Sequence, residues 1–232
     1  ILTEKRGEFR RIKQIRIDIL ELDSISESRK KTLDEGLILD MVPHVLAVLT
    51  KVMQAYSEFE LDADDFKIVE VRTGRYRSAP IKGETFAHIE MTVADTVIES
   101  FIGKGVGIHE KKTIEISFER GDITGDLPSG NLFIRERDKI EKISGSIQKN
   151  KIDRLLNDIL EGEFDENEFL GFDEGFEIVR IITRIREKAS RPVEYKKGSS
   201  LDDILKKFEN TNVSNRAVAD ASRRDTDGSW QI

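Results

Sequence analysis

DMVPHVLAVLTKVMQAY, residues 40–56, is the stretch that decides the fold. When these residues are placed on a helix, apolar side chains occupy most of its circumference, which predicts a helix buried on nearly all sides. Asp40 is expected to cap this helix, and Pro43 lies in its first turn, where proline is tolerated. The helix is therefore expected at the centre of the core.

The segments around this helix alternate between apolar and polar residues, as half-buried strands do. Strands are predicted at residues 12–22, 66–73, 85–93 and 112–119, and the β-branched content of residues 176–188 favours a further strand there. A short helix is predicted at residues 95–102 and a helical pair at 135–160. The sequence thus predicts an α+β fold, with a mainly antiparallel sheet packed on a buried central helix and a helical pair.

The chain changes character after Pro192, where its composition becomes polar. Residues 1–188 are predicted to form the main domain, and residues 189–232 a C-terminal arm with a linker, a short amphipathic helix and a polar tail. Ser200 and Asp203 have the spacing of a helix-capping box. The apolar stripe of that helix and the aromatic residue near the end of the tail are expected to bind a partner: Leu201, Ile204, Leu205, Phe208 and Trp230.

Composition excludes several classes of protein. The chain has no cysteine, so it forms no disulfide, zinc finger, iron–sulfur centre or thiolate nucleophile, and we expect no cofactor. Its formal net charge of −7 disfavours a dedicated nucleic-acid-binding protein. Residues 41–53 are shorter than the ~20 apolar residues that span a bilayer, so we expect no membrane contact and a cytoplasmic location.

Residues 161–177, EGEFDENEFLGFDEGFE, are the most unusual segment, because they combine eight acidic residues with four phenylalanines and no Lys or Arg. One interpretation is a docking motif in which Phe169 and Phe172 fill pockets on a partner. The alternative is a loop whose rings pack into the core of the same chain. A calcium loop fits poorly, because its fifth position would be Leu170 and not an oxygen donor.

Residues 103–112, GKGVGIHEKK, combine three glycines with three lysines. Exposed backbone N–H groups beside ammonium groups can hold a phosphate, which makes a weak phosphate site of five residues: Gly103, Lys104, Gly105, Lys111 and Lys112. The spacing is not that of a P-loop, and a strand follows where such motifs need a helix. A helix end followed by a flexible connection explains the same glycines.

Three further side chains suggest a weak metal site. His88 and Glu90 are two residues apart on a predicted strand and share one face, while Asp65 lies at the start of another strand. Asp65 and Glu70 lie around a strand somewhat as the paired carboxylates that hold Mg²⁺ in nucleases do. Ordinary surface or packing residues account for the same pattern.

These features lead to one preferred hypothesis and two alternatives. The preferred one is a non-enzymatic cytosolic module for protein–protein interaction or assembly, with a protein partner or self-association through the acidic-aromatic segment and the arm. The first alternative is a metal-dependent enzyme that processes phosphodiesters or nucleotides. The second is nucleic-acid contact through the basic residues of positions 1–16.

Overall fold

The structure is a computed structural model of the 232-residue chain, and it describes residues 9–21, 34, 36–57, 59–106, 110–137, 139–143 and 171–208. Two long helices lie in this part of the chain, α1 (Leu37–Tyr56) and α2 (Phe172–Lys188). Residues 201–208 are also helical and are called α3. The strands are β1 (Ile12–Glu21), β2 (Phe66–Tyr76), β3 (Phe86–Val93), β4 (Thr96–Lys104), β5 (Lys111–Phe118), β6 (Asp122–Asp126), β7 (Asn131–Glu136), β8 (Lys139–Ile143) and β9 (Val193–Tyr195).

One mixed sheet of nine strands dominates the described residues, in the order β8-β7-β6-β5-β1-β4-β3-β2-β9. β1 runs parallel to β4, and β9 runs parallel to β2, while the other neighbours are antiparallel. The parallel pairing in the middle requires a crossover, which the chain makes through α1 and the β2–β3 hairpin. The carboxyl ends of β1 and β4 therefore lie side by side at the same end of the sheet.

α1 and α2 pack on one face of this sheet and against each other. The apolar residues on that face of the central strands, such as Ile15, Ile17, Ile89, Ile98 and Ile116, are at most 3% exposed. A smaller apolar cluster lies on the opposite face of the sheet, where Phe86 and Phe101 pack with Ile204 and Phe208 of α3.

The predicted buried helix is confirmed as an element, and it begins three residues earlier than expected. Gly36 precedes the helix with φ 106°, so Asp40 lies in the first turn and is not the cap. α1 is long and apolar enough to cross a membrane by length and composition alone, but half of it is buried in the protein. The core helix of a soluble protein passes the same test of length and composition.

The predicted fold class was wrong. The sheet is mixed, it has nine strands with a parallel pair at its centre, and few helices accompany it. Its size follows from residues that were assigned to helices: part of the helical pair predicted at 135–160 is instead strand β8, and residues 144–160 lie outside the described residues. The sheet, and not a central helix with a helical pair, organises this part of the chain.

Two other local predictions were wrong because tertiary pairing overrides local pattern. The helix expected at 95–102 is β4, which a two-residue turn at Ala94 and Asp95 connects to β3. Such a short connection forces a hairpin. The strand expected at 176–188 is part of α2, whose buried stripe is Ile178, Ile181, Ile182 and Ile185.

The residues after Lys188 stay on the sheet. β9 extends the sheet next to β2, and the hydroxyl of Tyr195 lies 2.6 Å from that of Thr85. In α3, Ile204 and Phe208 are 1% and 3% exposed, against their own chain. The division at residue 188 stays a prediction, although residues 193–208 pack on the main sheet.

Candidate ligand-binding site at the start of helix α1

The parallel strands β1 and β4 bring two opposite charges together at their carboxyl ends. Glu21 and Lys104 are the last residues of these strands and are register partners. The first turn of α1 lies over the same edge, where Asp40 Oδ2 is 2.9 Å from Lys104 Nζ. Glu21 Oε2 is 3.6 Å from the same ammonium. Lys104 is 4% exposed, so a nearly buried cation is compensated by two carboxylates.

A second lysine extends this group. Lys112, near the start of β5, lies 3.1 Å from Glu21 Oε1 and 2.7 Å from Glu110 Oε1. The hydrogen bond to Glu110, reinforced by Glu21, raises the pKa of Lys112. We call Glu21, Asp40, Lys104 and Lys112 the α1 cluster. Its alternating carboxylates and ammonium groups can accept and donate hydrogen bonds to a polyhydroxylated ligand.

His44 stands one helical turn beyond Asp40. Residues four apart lie on the same face of a helix, so the imidazole and the Asp40 carboxylate border the same surface. His44 is exposed in a helix that is otherwise mostly apolar. Histidine is the side chain most often used for proton transfer, and His44 lies one helical turn from Asp40 of the α1 cluster.

The crevice at the carboxyl ends of strands is where open α/β sheets commonly bind ligands. At the start of α1, the parallel strands β1 and β4 contribute such ends. The geometry therefore brings Asp40 and Lys104 together beneath the first turn of α1, with His44 exposed one helical turn farther along.

The structure separates the residues of the predicted phosphate site. Lys104 and Lys112 lie on the helix-covered side of the sheet, and each contacts two carboxylates. Lys111 points to the other side, where it forms an ion pair with the buried Asp18. Gly103 is packed against Leu20 and Phe86, and Gly105 has φ 68° beside the ring of Tyr76. Binding of phosphate by these residues stays an untested prediction.

The predicted metal residues come together only in part. His88 Nε2 lies 3.6 Å from Glu90 Oε1 and 3.1 Å from Glu99 Oε1. Asp65 is exposed just before β2, whereas His88 is paired with Arg72, roughly 20 Å farther along that strand. No group of three metal-binding side chains was found among the described residues. A metal site there remains an untested prediction.

His88 belongs instead to a stacked array on the sheet face away from α1. Its ring lies parallel to that of Phe101 at a centroid distance of 4.3 Å, and the Arg16 guanidinium covers the same ring of Phe101 at 4.5 Å. Burial lowers the pKa of His88 against the opposing effect of Glu90 and Glu99. The array holds strands β1, β3 and β4 together.

The predicted partner-binding residues fall into three groups. Phe172 is 89% exposed at the start of α2, as a contact residue should be. Ile204 and Phe208 are buried on their own chain, and Leu201 and Leu205 are partly buried beside them. Phe169 and Trp230 lie outside the described residues. Partner binding by any of these side chains stays a prediction.

Sequence reasoning gave Asp40 only the role of a helix cap, and it assigned no ligand-binding role to His44 or Glu21. A signal was present, because Asp40 and His44 are the two polar residues among positions 37–46, and their spacing places them on one face. Glu21 carried no such signal, since its partner is reached only through the pairing of β1 with β4.

No protein-family model matches the chain, and no curated protein matches its sequence. Solved structures do share its fold. Glucose-6-phosphate dehydrogenase in complex with glucose-6-phosphate superposes with a TM-score of 0.64 at 15% identity, covering 89% of this chain and 59% of that enzyme.

Two further enzymes are similar as well. A mutant 3-ketoreductase from Actinomadura kijaniata, in complex with TDP-benzene and NADP, gives a TM-score of 0.62 at 11% identity and covers 84% of this chain and 59% of its own. UDP-N-acetylglucosamine 3-dehydrogenase from Acidithiobacillus ferrooxidans gives 0.56 at 17% identity, with 80% and 56% covered. The chain thus spans less than two thirds of each, and similarity at these identities shows the fold alone.

These similarities overturn the preferred functional hypothesis. The solved structures that share this fold include dehydrogenases and a ketoreductase, which contradicts the expectation of a non-enzymatic module for protein binding or oligomer assembly. The alternatives of a metal-dependent phosphodiester enzyme and a nucleic-acid-contacting protein find no support in them either. The described end of the acidic-aromatic segment, from Phe172, is the exposed first turn of α2.

Proposed function

We propose that this chain forms the substrate-facing sheet of a cytoplasmic, NAD(P)-dependent oxidoreductase that acts on a phosphorylated or nucleotide-linked sugar. The observation that carries the proposal is the α1 cluster, where Asp40 and Lys104 meet 2.9 Å apart under the first turn of α1. Support comes from the solved relatives, one of which holds glucose-6-phosphate and another of which is a UDP-N-acetylglucosamine dehydrogenase.

The residues on hand do not fit the dinucleotide itself. A dinucleotide-binding unit needs a parallel βαβ element with a glycine-rich turn that opens a helix, and no G-x-G-x-x-G occurs in the sequence. The described sheet contains no such βαβ element either. Within this proposal the chain supplies substrate contacts, and the dinucleotide is held by a part of the enzyme other than the described residues.

Each side chain then has a defined task. The Asp40 carboxylate accepts a hydrogen bond from a sugar hydroxyl, while Lys104 compensates its charge and limits its movement. His44, at the solvent-facing rim, exchanges a proton with the hydroxyl that is oxidised or formed. Glu21 and Lys112 complete the α1 cluster beside Lys104.

Ligand titration by nuclear magnetic resonance tests the proposal on the chain alone. Glucose-6-phosphate and UDP-N-acetylglucosamine are the probes, inorganic phosphate separates sugar recognition from anion binding, and NADPH tests the dinucleotide. We expect saturable binding of a sugar probe and no binding of NADPH. Asp40→Asn should weaken sugar binding roughly tenfold or more, because a hydrogen bond to a charged group contributes ~1.5–3 kcal/mol.

Asp173→Asn is the matched control, because Asp173 occupies the first turn of α2 as Asp40 occupies that of α1. This variant should bind the probes like the unchanged chain. Failure of both sugar probes to bind at millimolar concentration, or equal weakening by both substitutions, would overturn the proposal.

A further inference from the structure

Glu84 and Thr85 lie just before β3. Glu84 contacts the first turn of α1, and Thr85 contacts the backbone of Lys104. Ile38 N, in the first turn of α1, donates to Glu84 Oε1 at 2.9 Å. Lys104 N donates to the carbonyl of Thr85 at 2.9 Å, and the ammonium of the same lysine binds Asp40. These bonds close a circuit that runs from Glu84 through the first turn of α1 to Asp40, and through Lys104 back to Thr85.

Glu84 takes the place of a helix cap. Gly36, which precedes α1, contributes no capping side chain, and its φ of 106° suits glycine alone. A Cβ at Gly36 would lie 2.3 Å from Glu84 Oε1, so the glycine leaves the space that the carboxylate fills. Unpaired N–H groups at a helix start favour a negative charge, which the carboxylate provides from across the fold.

The backbone that carries Glu84 is itself held from three sides. Thr85 N donates to Gly74 O at 2.8 Å, and Tyr76 N donates to the Thr85 hydroxyl at 3.2 Å. The same hydroxyl lies 2.6 Å from that of Tyr195 on β9. The position of Glu84 is therefore set by the sheet, and the start of α1 is set by Glu84.

We propose that Glu84 is a positioning residue that fixes Asp40 and His44 of the ligand site through the first turn of α1. This inference rests on the proposed function, in which Asp40 and His44 contact the ligand. A merely structural cap would stabilise α1 without changing where His44 or Asp40 stand. A positioning residue changes both the surroundings of His44 and the affinity for ligand while the protein remains folded.

The experiment compares Glu84→Ala with Glu84→Gln, whose amide oxygen can still accept the hydrogen bond from Ile38 N. The first readout is the imidazole proton–carbon spectrum, which is simple because the chain has three histidines. The signal of His44 is assigned by its loss in His44→Gln. The second readout is the dissociation constant for glucose-6-phosphate, measured well below the unfolding temperature.

We expect Glu84→Ala to shift the His44 signal and to weaken binding at least fivefold, while Glu84→Gln restores most of both. The control is Glu174→Ala, which removes the carboxylate that bonds Gly171 N at the start of α2. It should change neither readout. If Glu84→Ala does not fold, Glu84→Asp, whose carboxylate is one methylene shorter, replaces it with the same expectation.

The inference is overturned if Glu84→Ala leaves the His44 signal and the affinity where Glu174→Ala leaves them and lowers only the unfolding temperature. The two proposals fail separately. If the unchanged chain does not bind glucose-6-phosphate or UDP-N-acetylglucosamine, the proposed function fails, and the His44 signal still decides whether Glu84 positions the first turn of α1.

Discussion

The hydroxyl groups of Tyr195 and Thr85 lie 2.6 Å apart, which ties the last strand of the sheet to the residue before β3. Both side chains are at most 1% exposed. Burial raises the pKa of Tyr195, so the phenol is neutral when it makes this bond. The contact connects residues far apart in sequence, and one of them, Thr85, directly follows Glu84 in the chain.

Tyr195→Phe should lower the free energy of unfolding by about 1 kcal/mol, the net contribution of one hydrogen bond. For a chain of this size that corresponds to a fall of ~2–4 °C in the midpoint of thermal unfolding. Tyr76→Phe is the control, because the hydroxyl of Tyr76 makes no hydrogen bond within the described residues. Equal losses in the two variants would contradict the assigned role of the Tyr195 hydroxyl.

Phe208→Ala should destabilise the protein by ~3–5 kcal/mol, because the ring is 3% exposed and stacks on Phe86 at 5.9 Å. Chemical unfolding at two protein concentrations measures this loss. The loss should be the same at both, since the ring packs on its own chain. A loss that depended on concentration would show that α3 docks on another molecule in solution.

Acid should destabilise the protein through His88 before its carboxylates titrate. Because burial lowers the pKa of His88, the unfolded chain takes up a proton at a pH where the folded protein does not. The stabilisation is complete above the unfolded pKa of ~6.5 and is lost as the pH falls through the lower folded pKa. Urea unfolding between pH 7.5 and pH 5, chosen as roughly one unit or more either side of that value, should show this slope.

His88→Gln should remove most of the slope, while His44→Gln should keep it because His88 remains. Glu70 also has a lowered pKa, chiefly through its hydrogen bond to Arg72, and its stabilisation is lost at lower pH. A slope that survives the removal of His88 would assign the pH dependence to other groups.

The two faces of α2 should respond differently to truncation. Ile181 is fully buried, so Ile181→Ala should cost ~2–5 kcal/mol of unfolding free energy. Phe172 is 89% exposed, and Phe172→Ala should change the unfolding free energy by less than ~0.5 kcal/mol. Urea denaturation measures both, and a large loss from Phe172→Ala would show that this ring packs against the protein.

Sequence patterns identified the strands that bury only one face, because their apolar and polar residues alternate. The isoleucine alternation of β5 predicted a strand at 112–119, and Lys111–Phe118 is observed. α2 was missed because its isoleucines fit both periods, and its helix depends on packing against α1 and β2. β4 is buried on both faces, which erases the alternation that marks an exposed strand.

The candidate site was beyond the reach of local pattern for a related reason. Asp40, Lys104 and Glu21 are each ordinary in their own segments, and Lys104 was assigned to a phosphate loop. Their meeting depends on the parallel register of β1 with β4 and on the placement of α1 above it. Neither this register nor the placement of α1 can be predicted from a short stretch of sequence.

The central position of β1 has a consequence for the order of folding. Ile17 pairs with Ser100 on one side and with Ile114 on the other, so this first strand has no neighbour until most of the sheet exists. During synthesis, β1 leaves the ribosome long before either partner is made. Contacts so distant in sequence slow folding to the order of milliseconds to seconds. The isoleucines of β1 thus gain their partners in the sheet only after β4 and β5 have been synthesised.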